Sequence, residues 1–268
     1  MEEVTKLIER LEASTEPFVA QIKEKNIYLK TPNSRWSDKV LINEYICLQL
    51  AQKLNLTIPN GGICIVNDDT DTSDVVDDIE YDETINGVAF YSERIYNANS
   101  SINSINIVKN ILNKDEINSI ILFDHLIYNV DRHEGNLLIS YSSKSIGFTM
   151  HIIDHSHVFN LMYNWTDASL KDLIVGEDFK DTRILDNNYN QVYRYFYELK
   201  ILNEKLLRCA AEKFKKIITK KLLDEIFEGI PKVWISDDKD IQKLKEYILY
   251  RVNNIDYMVN MIFNYKRY

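Results

Sequence analysis

The sequence predicts an α+β fold in two lobes, a small β-rich front and a larger helical back, on three observations. Apolar and polar residues alternate around a turn in PFVAQIKEKNIYLKT, and two further short apolar strands follow within the first hundred positions. From about Ala98 onward the apolar residues mostly recur every three or four positions. Glycine (7) and proline (4) are scarce, which leaves little material for flexible linkers between the two parts. The expected division is residues 1–97 and 98–268.

The elements follow in order. The opening MEEVTKLIERLEA predicts a charged amphipathic helix. PFVAQIKEKNIYLKT alternates around a turn at 23–26 and predicts a hairpin with one buried face. SDKVLINEYICLQLAQKLN carries Val40, Leu41, Tyr45, Leu48 and Leu54 at helical spacing, with Ser37 or Asp38 as cap and Asn55 as terminator. IPNGGICIVN is a turn into a short strand, and GVAFYSERI offers another.

In the back lobe, DEINSIILFDHLIYN presents Ile117, Ile120, Ile121, Leu126 and Ile127 as a buried stripe, with Asp115 or Asn113 as cap. LLIS and TMHII form two short strands around YSSKS. Helices are expected over 191–199, 202–217, 222–227 and 241–263, the last capped by Ser236 or Asp237. No internal repeat is visible.

Composition narrows the function classes. The chain has 45% hydrophobic and 27% charged residues, no apolar run of 18 or more and no leader-like start, so neither secretion nor membrane spanning is expected. Cys47, Cys64 and Cys209 lack CxxC spacing and predict buried reduced thiols in a cytoplasmic protein. The net charge of −9 is local: residues 68–84, DDTDTSDVVDDIEYDET, hold nine acids and no base. The simplest reading of that insertion is a solvated loop, since dense like charges resist packing, and the EF-hand order of calcium ligands is absent. The remaining body is neutral, so direct nucleic-acid binding is not expected. The basic run KFKKIITKK at 213–221 reads as the wet side of a helix.

The chemistry is concentrated in NVDRHEGNLL (129–138) and HIIDHSHVF (151–159), and all five histidines lie between His125 and His157. Phosphoryl transfer from ATP needs a carboxylate near the nucleophile, oxygen ligands for Mg²⁺ and a cation on the phosphates. Asp131, four intervening residues and Asn136 have the spacing at which a kinase loop supplies base and metal ligand. Asp154 ends a strand where a second metal carboxylate would stand, and Lys30 ends IYLK ahead of a helix containing Glu44. Magnesium prefers such oxygen donors, so the histidines are not required as ligands.

At these residues the sequence resembles the HipA-like kinases, relatives of bacterial Ser/Thr kinase toxins. NVDRHEGNLL with IIDHSHVF, FDHLIYN before them, YLKT, LINEYICLQLAQKLNLTIP and EIFEGIPKVW carry the resemblance, which spans about Glu16 to Trp234. DRH-x-x-N with its following ID is also similar to the phosphatidylinositol kinases. The resemblance implies a protein-kinase-like fold, ATP and Mg²⁺, and a protein acceptor with a Ser or Thr hydroxyl. It makes Asp131 the base, Asn136 and Asp154 the metal ligands, Lys30 the phosphate anchor and Glu44 the residue that orients Lys30 or a nearby element. It leaves open whether a DNA-binding antitoxin accompanies the chain, as in toxin–antitoxin pairs. One departure stands out: where kinases cover the triphosphate with a glycine-bearing loop, EASTEPF has none. Ser14 and Thr15 are the donors available there.

Two other readings compete. A pseudokinase would keep the nucleotide-binding fold without turnover, and nucleotide-dependent stabilisation without transfer would reveal it. A metallohydrolase would use His151, Asp154, His155 and His157, with His125 and His133 as remote ligands, to activate water on a tightly held metal. Metal analysis of the purified protein separates that reading from a kinase.

Overall fold

The computed structural model describes residues 1–32, 37–79, 84–99, 102, 104–141 and 147–265. Its front is a six-stranded sheet built from β1 (Glu2–Glu3), β2 (Lys6–Arg10), β3 (Phe18–Ile22), β4 (Lys25–Lys30), β5 (Gly61–Val66) and β6 (Gly87–Glu93). The strand order is β1-β5-β6-β4-β3-β2, with β1 parallel to β5 and every other pair antiparallel. The expected hairpin is β3–β4, and Lys23 takes the left-handed conformation its tight turn requires.

The opening segment is strand, not the amphipathic helix its spacing predicts. Leu7 pairs with Ala20 and Glu9 with Val19, and the register slips between them. That bulge breaks the period-two alternation, so Val4, Leu7 and Leu11 fall at a spacing that imitates a helix. Hydrogen bonding to β3 decides the outcome.

The acidic insertion also differs from a purely solvated loop. Val75 is buried with Val4, Leu7, Ile27 and Leu29 on the outer face of the sheet, and Ile79 and Ile85 pack beside it. Leu7 N–H donates to Asp71 O at 2.8 Å, Thr70 Oγ1 donates to Val4 O at 2.9 Å, and Lys6 pairs with Asp74 at 2.7 Å. The described acids, Asp68 to Asp78, therefore face water while the three apolar residues cover the sheet. Positions 80–83 lie outside the described residues.

The inner face of the sheet meets α1 (Lys39–Lys53), the helix expected there. It ends at Leu54, and Asn55 follows in a left-handed conformation. Asp38 stands at its start without a side-chain cap, and Ser37 Oγ instead accepts from Lys39 N–H at 3.3 Å. Most of α1 is buried on every side, so its polar residues Lys39, Asn43 and Glu44 must each find partners.

The back contains a three-stranded sheet, β7 (Ala98–Asn99), β8 (Leu137–Tyr141) and β9 (Phe148–Ile152), in the order β7-β8-β9. The turn between β8 and β9 lies largely outside the described residues. The helices are α2 (Ile105–Lys109), α3 (Glu116–Leu126), α4 (Asp167–Val175), α5 (Arg183–Asn188), α6 (Arg194–Glu198), α7 (Glu204–Ile217), α8 (Lys220–Glu228), α9 (Asp238–Asn253) and α10 (Ile255–Asn264). A π-helical turn, Tyr189–Tyr193, joins α5 to α6. One continuous core runs from α1 through α3 and the β8–β9 hairpin to α7, α9 and α10.

Three helical expectations are corrected, and one choice between two caps is decided. The last helix is two, broken at Asn254, whose side chain donates back to Tyr250 O at 2.8 Å and competes with the helical ladder. Asp237, rather than Ser236, caps α9 by accepting from Lys239 N–H. Asp115 does not cap α3, and Asn113 instead donates to Glu116 Oε2 at 2.9 Å. Residues 213–221 are not one helix face, because α7 ends at Ile217 and Thr219 caps α8. Cys47 and Cys64 are buried as expected, but Cys209 is exposed, and all three are free. Among the described residues no helix is long and apolar enough to cross a membrane.

Candidate active site

The loop after α3 is held by a buried ion pair. Arg132 and Asp124 are both inaccessible to solvent, and the guanidinium grips the carboxylate through Nε at 3.0 Å and Nη2 at 2.8 Å. Charge in such a setting is tolerated only with every hydrogen bond made. Asp124 also accepts from Asn129 Nδ2 at 3.0 Å and Tyr193 Oη at 2.8 Å. Arg132 Nη1 reaches across to Asn136 O at 2.8 Å and Ile153 O at 3.0 Å. One side chain thus ties the loop bearing Asp131 to the strand end bearing Asp154. Asn188 completes the brace, accepting from Arg132 N–H at 3.0 Å and donating to Asn129 O at 2.8 Å.

Alternation along β4 explains where Lys30 points. Ile27 and Leu29 are buried on the outer face, so Tyr28 and Lys30 project inward, opposite Ser92 and Phe90 of β6. Lys30 Nζ pairs closely with Glu44 Oε1 of α1 and reaches Asp154 Oδ1 at 2.9 Å. Glu44 Oε2 accepts from His155 N–H at 3.1 Å, which fixes α1 against the segment after β9. Asn43 does the same, donating to Ser156 O and Met162 O at 2.8 Å and accepting from Trp165 Nε1 at 3.0 Å.

The electrostatics follow from two carboxylates sharing one buried ammonium. Burial pulls the Lys30 pKa down, but Asp154 and Glu44 outweigh it, so the ammonium form is held above its ordinary range. Burial alone would raise Asp154, yet Lys30 and a 2.6 Å hydrogen bond from Ser156 Oγ hold it well below the usual carboxylate range. Glu44 keeps the cost of desolvation and is raised, with Lys30 only partly offsetting it. Asp154 adopts the left-handed backbone conformation, φ 54°, which Asp tolerates better than most residues.

These groups line a cleft of about 1020 Å³ between the sheet and the helical part. Its walls include Lys30, Glu44, Asp131, Asn136, Asp154 and Ser14. Asn136 Nδ2 donates to Asp131 O at 2.8 Å, which leaves Oδ1 as the atom for a ligand. The Asp131 side chain is 42% exposed, with His157 Nδ1 3.4 Å from Oδ2. That pairing raises the His157 pKa despite the opposing effect of burial. The glycine-free EASTEPF loop forms the β2–β3 connection over this cleft, closed by Leu11 N–H on Pro17 O at 2.9 Å. Thr15 is not on the cleft wall: it lies in a small pocket with Lys30, Thr31 and Asp38, its buried Oγ1 without a partner.

The sequence did not single out Arg132, Asp124, Asn188 or Tyr193 as the brace. A signal existed, since a charge inside the apolar run IILFDHLI must be paired if that run is buried. The histidines do not assemble a metal cage: His133 Nδ1 accepts from Gly135 N–H, His151 pairs with Ser140, and His155 sits against Arg132. Among the described residues no three His, Cys, Asp or Glu side chains are placed to hold one metal ion. Asp154 and Asn136 instead offer two hard oxygen donors to a single cleft, the set that suits Mg²⁺.

A sheet lobe carrying a lysine–glutamate pair, set over a helical lobe carrying the D-x-x-x-x-N loop, defines a kinase-like fold. The chain belongs to the HipA-like kinase family, whose sequence profile matches residues 4–261. Among solved structures it is similar to the Helicobacter pylori proinflammatory kinase CtkA, with a TM-score of 0.61, 13% identity and coverage of 98% of this chain and 97% of that one. It is also similar to Shewanella oneidensis HipA, solved with HipB and operator DNA, with a TM-score of 0.48 and 11% identity over 90% of this chain and 61% of that one. No curated protein sequence is significantly similar to it.

Proposed function

We propose that the chain is an ATP-dependent phosphotransferase acting on a Ser or Thr hydroxyl, with residues 1–97 and 98–268 as its nucleotide-gripping and catalytic lobes. The observation that carries this reading is the meeting, in one cleft, of Lys30 from the sheet with Asp154 at 2.9 Å, alongside Asp131 and Asn136. Lys30, oriented by Glu44, holds the phosphates. Asn136 Oδ1 and Asp154 Oδ2 hold Mg²⁺, which when bound shields charge on the transferring phosphoryl group. Asp131 receives the hydroxyl proton from the opposite side. Ser14 and the EASTEPF backbone cover the nucleotide in place of glycines, with Thr15 behind the loop. A cytosolic setting, with ATP at hand and thiols reduced, belongs to the same reading.

The test is a pair of variants. Asp131→Asn is expected to keep Mg·ATP affinity in calorimetry while transfer falls by about 10²–10⁴. Asp154→Ala is expected to weaken Mg·ATP binding itself. Undiminished turnover in Asp131→Asn removes the base assignment, and nucleotide binding by the wild type without transfer to any acceptor makes the chain a pseudokinase.

A further inference from the structure

Asp131 stands on the wall of two cavities. Besides the large cleft, a separate pocket of about 320 Å³ is lined by Val130, Asp131, His133, Asn187, Asn190 and Gln191. Val130, Asp131, His133 and Asn187 belong to both, so the carboxylate sits at the junction. A group bound in the second pocket would meet Asp131 where Lys30 is not on the wall.

Resting on the kinase reading, we propose that this pocket is the acceptor subsite, and that it takes the backbone of an extended peptide with uncharged residues flanking its Ser or Thr. Three properties argue for this. The first is rigidity: Asn190 and Gln191 lie on the π-helical turn, and the adjoining Asn188 is buried and clamps both Arg132 N–H and Asn129 O, so the pocket wall moves with the catalytic loop. Such π-helical turns interrupt a helix at the cost of regular hydrogen bonding and concentrate at functional positions. The second is hydrogen-bonding character. Asn187, Asn190 and Gln191 offer carboxamides, each able to give and to accept, which matches the paired N–H and C=O of a peptide group. Asn190 Nδ2 is oriented by Asp186 O at 3.0 Å, which leaves its carbonyl oxygen as an acceptor. The third is charge. The lining has no Lys or Arg and one carboxylate, so it supplies nothing to neutralise a phosphorylated headgroup or a nucleotide. A phosphoinositide acceptor is disfavoured on that ground.

The experiment uses the full chain with Mg·ATP and a degenerate peptide library having Ser or Thr fixed at its centre, with phosphoinositide-containing vesicles in parallel. Wild type is expected to phosphorylate the library and not the vesicles. Asn190→Ala and Gln191→Ala are each expected to lower kcat/KM for peptide by about three- to tenfold, the effect of one or two lost neutral hydrogen bonds, with KM for ATP unaltered. Gln191→Lys is expected to shift the preferred flanking residues toward Asp and Glu, a change that misfolding cannot produce. Peptide transfer that responds to none of the three variants overturns the subsite while leaving the kinase reading intact, and transfer to vesicles instead of peptides overturns both the subsite and the Ser or Thr acceptor, leaving only phosphotransfer from ATP. No transfer to either probe overturns both.

Discussion

His125 sits at the end of α3 with both ring nitrogens buried and unpartnered, and burial, reinforced by the nearby Arg251 guanidinium, lowers its pKa from 6.5 to about 3. The unfolded chain therefore takes up a proton at His125 near pH 6.5, whereas the folded chain refuses it until about pH 3. Its contribution to stability is intact above pH 6.5 and is lost as pH falls, by about 1.4 kcal/mol per unit. At pH 5.0 the loss is about 2 kcal/mol. His125→Leu removes the titrating group and, since neither nitrogen has a partner, breaks no hydrogen bond. At pH 7.5 the variant is expected to be as stable as wild type within about 1.5 kcal/mol. Urea denaturation of both proteins from pH 7.5 to 5.0 isolates the effect, because every other titrating group cancels in the difference. The difference should grow in favour of the leucine variant by about 2 kcal/mol over that range. Two curves that stay parallel refute the argument, and mean that His125 gains a proton or a water in the folded state.

Arg132→Met leaves Asp124 charged and unpaired in the core and releases Asn136 O and Ile153 O, so a loss of about 3–5 kcal/mol is expected in urea denaturation. The double change Arg132→Met with Asp124→Leu should recover part of it, since no buried charge then remains. Gly61→Ala places a Cβ against Tyr91 O of the paired strand, backbone that yields only by moving β6. A loss of about 1–3 kcal/mol is expected, again in urea, and a neutral result shows that the β5–β6 ladder relaxes freely.

The segments that line the candidate site were legible because their pattern is local. Six positions cover Asp131 and Asn136, and the alternation of IYLK alone puts Lys30 on the face opposite Leu29. What was not legible depends on partners distant in sequence. Whether MEEVTKLIERLEA is helix or strand is decided by β3, and the bulge erases the one pattern that would have announced it. The break at Asn254 turns on a single side chain that competes with the helical ladder, inside a run whose apolar spacing continues across it. The Arg132–Asp124 brace was hidden because burial, which makes the pair structurally decisive, cannot be read from a spacing rule.

The crowding of histidines into about one eighth of the chain also finds a physical account. A neutral imidazole can accept a hydrogen bond through one ring nitrogen. His155 does so against Arg132, and burial together with that guanidinium holds its pKa far below 6.5. His133 accepts from the backbone of the loop it precedes, and His157 faces Asp131. His133 and His157 therefore flank Asp131, and His155 follows Asp154 in the chain. A lysine or arginine in the place of His157 would form an ion pair with Asp131 instead. Asp131 in particular would be tied up by a permanent cation, whereas His157 carries its charge only while protonated. Its raised pKa makes that charge present at low pH and lost as pH rises through the shifted value, so, with Asp131 as the proposed base, the carboxylate is most available to an acceptor hydroxyl on the alkaline side.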